Sequence, residues 1–368
     1  MSIFERVKSN IVSNKIIRES GGFTCIPWEL PRLSNVLPGI QRAKYIIVTA
    51  NSKVGKTQLA DFLFLHQPYE FYLANPKANI KPRIFYFSLE MSKESKIMSV
   101  LSYKLFKDHQ IVASPEELLS VFKNKIVNNK LLEKILEYET FFKDFEDKVT
   151  FIDSIRNPFG IFKYMEEYAL SNGHWVFKEM DWDNNGRIEK KKVRDYYVPN
   201  NPEEFPIIII DHVSLLSPEK DQSLHQAMSK FSSDYVLYLR DKYKYTVVAV
   251  QQQAADQEKQ QYTFGRGDSV IDKVKPTPDG LGDNKLTGRD CNLMIGLFAP
   301  YRYNGVKDYN GYDITILKDN FRELSILLNR DGRGNSSVGL YFNGASNFFE
   351  ELPKPNEPEL LKIYSKLK

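Results

Sequence analysis

The sequence predicts an α/β fold, a mostly parallel sheet flanked by helices, on three observations. Tyr45 to Leu59 reads YIIVTANSKVGKTQL: an apolar β-branched run (Ile46, Ile47, Val48), a tight break, then Gly55-Lys56-Thr57 opening a segment of helical spacing. Arg83 to Glu90 and Pro206 to Asp211 are continuous apolar runs that each end in an acid. Strands buried on both faces read as unbroken apolar runs, and ligands collect at the carboxyl ends of such strands.

Each element carries its own chemistry. Strand, loop, GKT and helix make a phosphate-binding arrangement, in which loop N–H groups and a helix N-terminus face the phosphates. Asn51, Ser52, Lys53, Val54 and Gly55 form the cradle, Lys56 reaches the β and γ oxygens, and the Thr57 hydroxyl meets Mg²⁺. The strict motif has Gly at its first position, where this chain has Ala50. ATP with Mg²⁺ is the expected ligand. Glu90, at a strand end, is read as the group that polarises attacking water, with helix capping as its alternative because a helical stretch begins at Ser92. Asp211 ends a run of four isoleucines and is read as the holder of the magnesium waters. Thr246 to Val250 is the next strand, and it leads into Gln251-Gln252-Gln253, where a glutamine can sense the γ-phosphate.

Composition sets the bounds. At 368 residues the chain can bury a large core, and a net charge of +4 leaves nucleic-acid contact to local patches. Cys25 and Cys291 lie far apart without metal-ligand spacing, which fits a reducing compartment and argues against structural zinc. No apolar stretch reaches the ~18 residues of a membrane span, and the charged start is not a signal peptide, so a cytoplasmic protein with no membrane partner is expected.

Around these motifs, residues 2–18 place Ile3, Phe4, Val7 and Ile11 on one helix face, ended by Gly21-Gly22. That face packs either on its own domain or on a neighbouring subunit. Residues 92–106, 115–142, 158–170 and 224–242 are read as helices, and 149–153 as a short strand. Residues 172–205 are a compositional outlier, with aromatic strands around Asn184-Asn185-Gly186 that signal a hairpin. The run from Asp181 imitates a calcium loop but has Lys192 where the bidentate glutamate belongs, so the hairpin is preferred. Residues 254–288 form a long polar loop in which Lys259, Arg266, Lys273 and Lys275 accompany Tyr262 and Phe264. Basic residues among aromatics suit a single-stranded nucleic-acid groove, although five aspartates in the same tract also fit a plain mobile loop. Strands follow at 292–298, 324–328 and 338–342, and the turn Asn329 to Gly334 offers Arg330 and Arg333 as exposed groups able to cross an interface.

These motifs together resemble the RecA-like motor domain of DnaB-type replicative DNA helicases, including bacteriophage relatives, along most of residues 26–350. Ile26-Pro27-x-Glu29-Leu30-x-x-Leu33 with Leu37-x-Gly39 resembles that family's opening segment. Ala50 through Thr57 resembles its phosphate loop, and Phe87-Ser88-Leu89-Glu90-Met91-Ser92 is close to its most specific string. The resemblance implies a catalytic role for Glu90, a magnesium role for Asp211, a sensor role for Gln252 and a trans-acting finger at Arg330. It departs at Leu328, which stands where the family carries a second basic residue. The family's helical N-terminal domain has no counterpart, which puts an ordinary primase partnership in doubt.

The implied organisation is a linker-like helix at 1–22, an ATPase domain at 23–350 with an insertion at 172–205, and a tail at 351–368. The implied function is a phage-encoded, ATP-dependent helicase motor. It would move along single-stranded DNA as a homo-oligomeric ring, a hexamer, among replisome proteins. A RecA-like strand-exchange protein or a non-translocating DNA-binding accessory protein is the alternative, and ring against filament separates them.

Overall fold

The computed structural model describes residues 3–184, 187–254, 271, 273–303, 305–332 and 334–367. The strands are β1 (Tyr45–Ala50), β2 (Lys81–Ser88), β3 (Val149–Ile152), β4 (Gly173–Asn184), β5 (Arg187–Pro199), β6 (Glu204–Asp211), β7 (Thr246–Gln252) and β8 (Leu293–Phe298). They are followed by β9 (Asp308–Tyr309), β10 (Tyr312–Asp313), β11 (Phe321–Asn329), β12 (Ser337–Asn343) and β13 (Phe348–Glu351).

Nine of these join in one sheet of order β13-β12-β11-β8-β1-β7-β6-β2-β3. From β8 to β3 every pairing is parallel. The strands β11, β12 and β13 add an antiparallel edge.

Both faces of the parallel part are covered, which explains its unbroken apolar strands. Side chains alternate across a strand, so Ile46 and Val48, Ile207 and Ile209, and Val248 and Val250 enter one core. Their neighbours Ile47, Ile208, Ile210, Val247 and Ala249 enter the other. The first core is closed by Leu59, Phe64, Val100, Tyr103 and Phe145. The second is closed by Ile161, Met165, Phe231 and Leu239. Each such buried isoleucine or phenylalanine contributes on the order of 1.5–3 kcal/mol.

The helix opened by Gly55 runs as Lys56–Asp61, a π-helical turn Phe62–His66, and Gln67–Ala74. Pro68 has no N–H to give the carbonyl of Phe64, which favours a widened turn just before it. Gly39 has φ 141, and a Cβ there would lie 2.1 Å from the Ile26 carbonyl oxygen. Only glycine lets Ile26 and Ile40 bridge at the base of the domain.

Several boundaries differ from the sequence reading. β2 stops at Ser88, so Glu90 stands in the following loop and not on the strand. The pattern at 115–142 is three helices, Pro115–Leu118, Asn129–Leu136 and Glu139–Lys148, because residues 119–128 leave the helical path. The apolar face of the helix Ile3–Glu19 is not covered by its own domain: Phe4 is 75% and Ile11 64% exposed. In the tail, the helix Pro358–Leu367 buries Leu360 in one cluster with Tyr312, Ile314 and Phe321.

The hairpin is present as β4 paired antiparallel to β5, a two-stranded sheet of its own. Its base is anchored by Trp175 and Tyr197 on Tyr243, while Phe177, Met180, Trp182 and Tyr196 stand exposed further out. The lysine tract is engaged within the hairpin, with Lys191 over the Trp182 ring at 4.7 Å and Lys190 3.7 Å from Glu179. The expected turn at Asn185-Gly186 lies outside the described residues.

Candidate active site

β1 ends at Ala50, and the chain then reverses through residues 51–55 before the helix begins at Lys56. Lys53 (φ 58) and Gly55 (φ 108) are both left-handed. Such reversals turn successive N–H groups toward one point, the geometry that receives phosphate.

The carbonyls of the loop are held from behind. Arg302 donates to the Ser52 oxygen. Arg322 Nε donates to the Val54 oxygen at 2.8 Å while its guanidinium lies 4.7 Å over Phe342. The Asn51 amide donates to the Val274 carbonyl and the Tyr303 hydroxyl, both at 2.9 Å. The buried Asn51 side chain is thus turned away from the cradle and fixes the start of the loop.

Thr57, in the first turn of the helix, donates to Asp211 Oδ1 at 3.0 Å. β6 pairs with β2 so that Asp211 stands opposite Ser88, and Leu89 N–H bonds the Asp211 carbonyl at 2.7 Å. Glu90 follows immediately, with its side chain 53% exposed and so open to water. The cap of the next helix, Lys93–His109, is Ser92, whose hydroxyl accepts from Ser95 N–H at 3.2 Å. Glu90 therefore does not cap that helix.

His212 Nε2 lies 3.8 Å from Glu90 Oε2, and its Nδ1 is buried with no partner among the described residues. Burial, with the Lys56 ammonium acting in the same sense, pulls its pKa below the usual imidazole value. The ring is neutral at pH 7.

The three glutamines at the end of β7 divide by direction. Gln251 is buried, donating to the Gly282 and Asn284 carbonyls at 2.8 Å and accepting from Thr287 at 2.6 Å. Gln253 is buried on Thr49 at 3.0 Å and on the Thr277 carbonyl at 3.2 Å. Gln252 is half-exposed between them and pairs with Ala50, beside the start of the phosphate loop.

A buried polar cluster that the sequence reading missed lies beneath Asp211. Lys96 Nζ is 3.1 Å from both Asp61 oxygens, 2.6 Å from the Tyr86 hydroxyl and 3.3 Å from Asp211 Oδ2. Burial raises the Asp61 carboxyl, against the opposing charge of Lys96. Burial also raises the Tyr86 phenol well above its ordinary value, so it stays protonated. No local pattern announces this cluster, since its members come from separate segments of the chain.

Arg330 sits elsewhere. β11 runs antiparallel to β8, so Asn329 pairs with Leu293, and Leu293 pairs with Ile46 near the amino end of β1. The phosphate loop leaves the other end of that six-residue strand, roughly 17 Å away at about 3.3 Å per residue. Arg330 is exposed but not a free tip: its Nε donates to the Cys291 carbonyl at 2.8 Å and its Nη2 to the Arg289 carbonyl.

Among the loop cations, Lys273 is exposed and the Lys275 ammonium lies 4.9 Å over the Tyr309 ring. Lys259, Arg266 and Arg333 lie outside the described residues.

The donors for a cation are hard oxygens. Among the described residues no cluster of three or more His, Cys, Asp or Glu side chains could hold a metal alone. Mg²⁺ needs no such cage, because it keeps water and binds through one or two protein oxygens together with substrate phosphates. Thr57 and Asp211, 3.0 Å apart beside the phosphate cradle, fit that requirement. No helix among the described residues is long and apolar enough to cross a membrane.

Neither protein-family models nor curated protein sequences give a match to this chain. Solved structures do. One, the ATPase domain of another protein, matches with a TM-score of 0.66 and 17% identity, covering 96% of this chain and 99% of that one. A DnaB-like replicative helicase, solved for its structure and its interactions with primase, matches with a TM-score of 0.63 and 17% identity. That alignment covers 93% of this chain and 67% of the helicase chain. At this identity the shared property is the fold, and the chain has the RecA-like fold of a DnaB-type ATPase domain.

Proposed function

We propose that this chain is an ATP-hydrolysing motor that moves along single-stranded DNA as a ring of subunits, a replicative helicase motor. The observation that carries the reading is the Thr57–Asp211 hydrogen bond, from the first turn of the helix after β1 to the carboxyl end of β6, with Glu90 on the neighbouring loop.

The cradle N–H groups and Lys56 bind the phosphates of ATP, and Asp211 with Thr57 would hold Mg²⁺. When bound, that ion neutralises charge that builds on the β and γ oxygens. Glu90 orients the attacking water and takes its proton. Gln252, next to the loop, responds to the γ-phosphate. Arg330 completes the site of an adjacent subunit, since its own phosphate loop is at the opposite end of β1.

Two contacts support coupling of the nucleotide to the long loop. Asn51 bonds the Val274 carbonyl, and Gln253 bonds Thr277, so the segment bearing Lys273 and Lys275 is tied to the phosphate loop and to β7. That loop, with Lys259 and Arg266, is the proposed DNA contact. The exposed face of the helix Ile3–Glu19 is the proposed dock on the next subunit of a hexamer.

The test is strand separation. The protein is expected to unwind a forked duplex with ATP, and to stop when a non-hydrolysable analogue replaces it. Hydrolysis without unwinding on forks of either polarity would remove the helicase assignment and leave an ATPase.

A further inference from the structure

Lys96 is buried to 1% side-chain exposure, deeper than a lysine is normally found without a task. It lies in the first turn of the helix Lys93–His109, just after the segment that carries Glu90. Its ammonium touches three other elements of the site: Asp61 on the phosphate-loop helix, Tyr86 on β2 and Asp211 at the end of β6.

The two oxygens of Asp211 have different partners. Oδ1 accepts from Thr57 at 3.0 Å. Oδ2 accepts from Lys96 at 3.3 Å and faces the Tyr86 hydroxyl at 2.9 Å. Tyr86 has a single proton for Asp61 at 2.7 Å and Asp211, and it accepts from Lys96 at 2.6 Å. The Oδ2 edge is therefore fixed from below, which leaves the Oδ1 edge toward the phosphate loop.

Asp61 stands four residues after Thr57, on the same face of one helix. The face that presents the threonine hydroxyl to Oδ1 thus also presents the carboxylate that anchors Lys96. Two buried carboxylates facing one ammonium leave one formal negative charge, which suits a divalent cation already sharing the phosphates. Without Lys96, Asp61 and Asp211 would face each other unscreened.

We propose that Lys96 is a positioning residue for the metal site: held by Asp61 and Tyr86, it fixes the Asp211 carboxylate and ties its orientation to the segment bearing Glu90. This rests on the reading of Asp211 as the magnesium residue. Lys96 touches neither nucleotide nor metal, and acts through Asp211.

The experiment measures Mn²⁺ binding to the ADP-loaded protein by electron paramagnetic resonance, beside ADP affinity without metal and the melting temperature. Four proteins are compared: the parent, Asp211→Asn, Lys96→Met and the double variant Lys96→Met/Asp61→Leu. The double variant removes a buried ion pair as a unit, which proteins often tolerate where loss of one partner unfolds them. It also keeps the charge of the cluster unchanged.

Partners behind a metal ligand typically change affinity about 10- to 100-fold when lost. The double variant is expected to melt near the parent and bind ADP alone within about twofold, yet bind Mn²⁺ at least ~10-fold more weakly. Lys96→Met, if folded, should show the same loss. A folded double variant with parental Mn²⁺ affinity overturns the proposal, reducing Lys96 to a structural counter-charge. If Asp211→Asn keeps the parental affinity, the reading of Asp211 fails and the proposal falls with it.

Discussion

The Thr57 hydroxyl donates a 3.0 Å hydrogen bond to Asp211 across 154 residues of sequence. That bond joins the first turn of the phosphate-loop helix to the end of β6, two strands away from β1 in the sheet. It brings the turn bearing Lys56, the Asp211 carboxylate and the loop of Glu90 to one edge of the sheet.

Lys56→Ala is expected to abolish productive nucleotide binding with the fold intact. The cradle N–H groups remain, but the cation that reaches the outer phosphates is gone. Titration with a fluorescent ATP analogue checks this, and parental affinity together with parental turnover would refute the site.

Glu90→Gln is expected to bind ATP normally and hydrolyse it at least ~100-fold more slowly, the usual cost of losing a general base. Because Ser92 caps the next helix, melting should barely move. Single-turnover hydrolysis within twofold of the parent would exclude Glu90 from the chemistry.

Much of the fold was legible because the parallel strands are buried on both faces. Ile207 to Ile210 could only be core, and the core takes them alternately on its two sides. Gly55-Lys56-Thr57 announced its loop by local chemistry alone. What stayed hidden depends on distance in sequence. Nothing near Lys96 shows that its partner is Asp61, 35 residues earlier, and nothing near Arg322 points to the Val54 carbonyl, 268 residues away. β13 was missed because Phe348–Glu351 is four residues with no alternation to read. The exposed face of the helix Ile3–Glu19 has the same apolar spacing that a packed helix would show.

Arg330→Ala is expected to keep ATP binding and lose turnover by ~10³ or more, as for other arginine fingers. Its bonds to the Arg289 and Cys291 carbonyls must open, or hold the side chain in place, as a neighbour docks. Mixing this variant with Lys56→Ala protein should restore part of the activity, since some interfaces then join an intact loop to an intact finger. Background activity at every ratio, with mixed assemblies demonstrated, would contradict action in trans.

His66 gives a pH dependence of a different origin. Its ring is buried and stacked on Tyr103 with centroids 3.8 Å apart. Burial first, then Lys107, Lys96 and Lys104, lower its pKa to about 3. The unfolded chain binds a proton near pH 6.5 and the folded one does not, so stability is full above pH 6.5 and falls as the pH drops toward 3. Between about pH 7.5 and about pH 5 the loss is about 2 kcal/mol. Urea unfolding of the parent and of His66→Phe should differ by that slope, and parallel pH curves would contradict it.

The most direct measurement of the central claim is steady-state ATP turnover per subunit across a protein titration, with and without single-stranded DNA, against Lys56→Ala as background. A shared-site motor should turn over faster per subunit as concentration drives assembly, and faster again when DNA is added. Turnover that stays at the Lys56→Ala background at every concentration, with and without DNA, would contradict it.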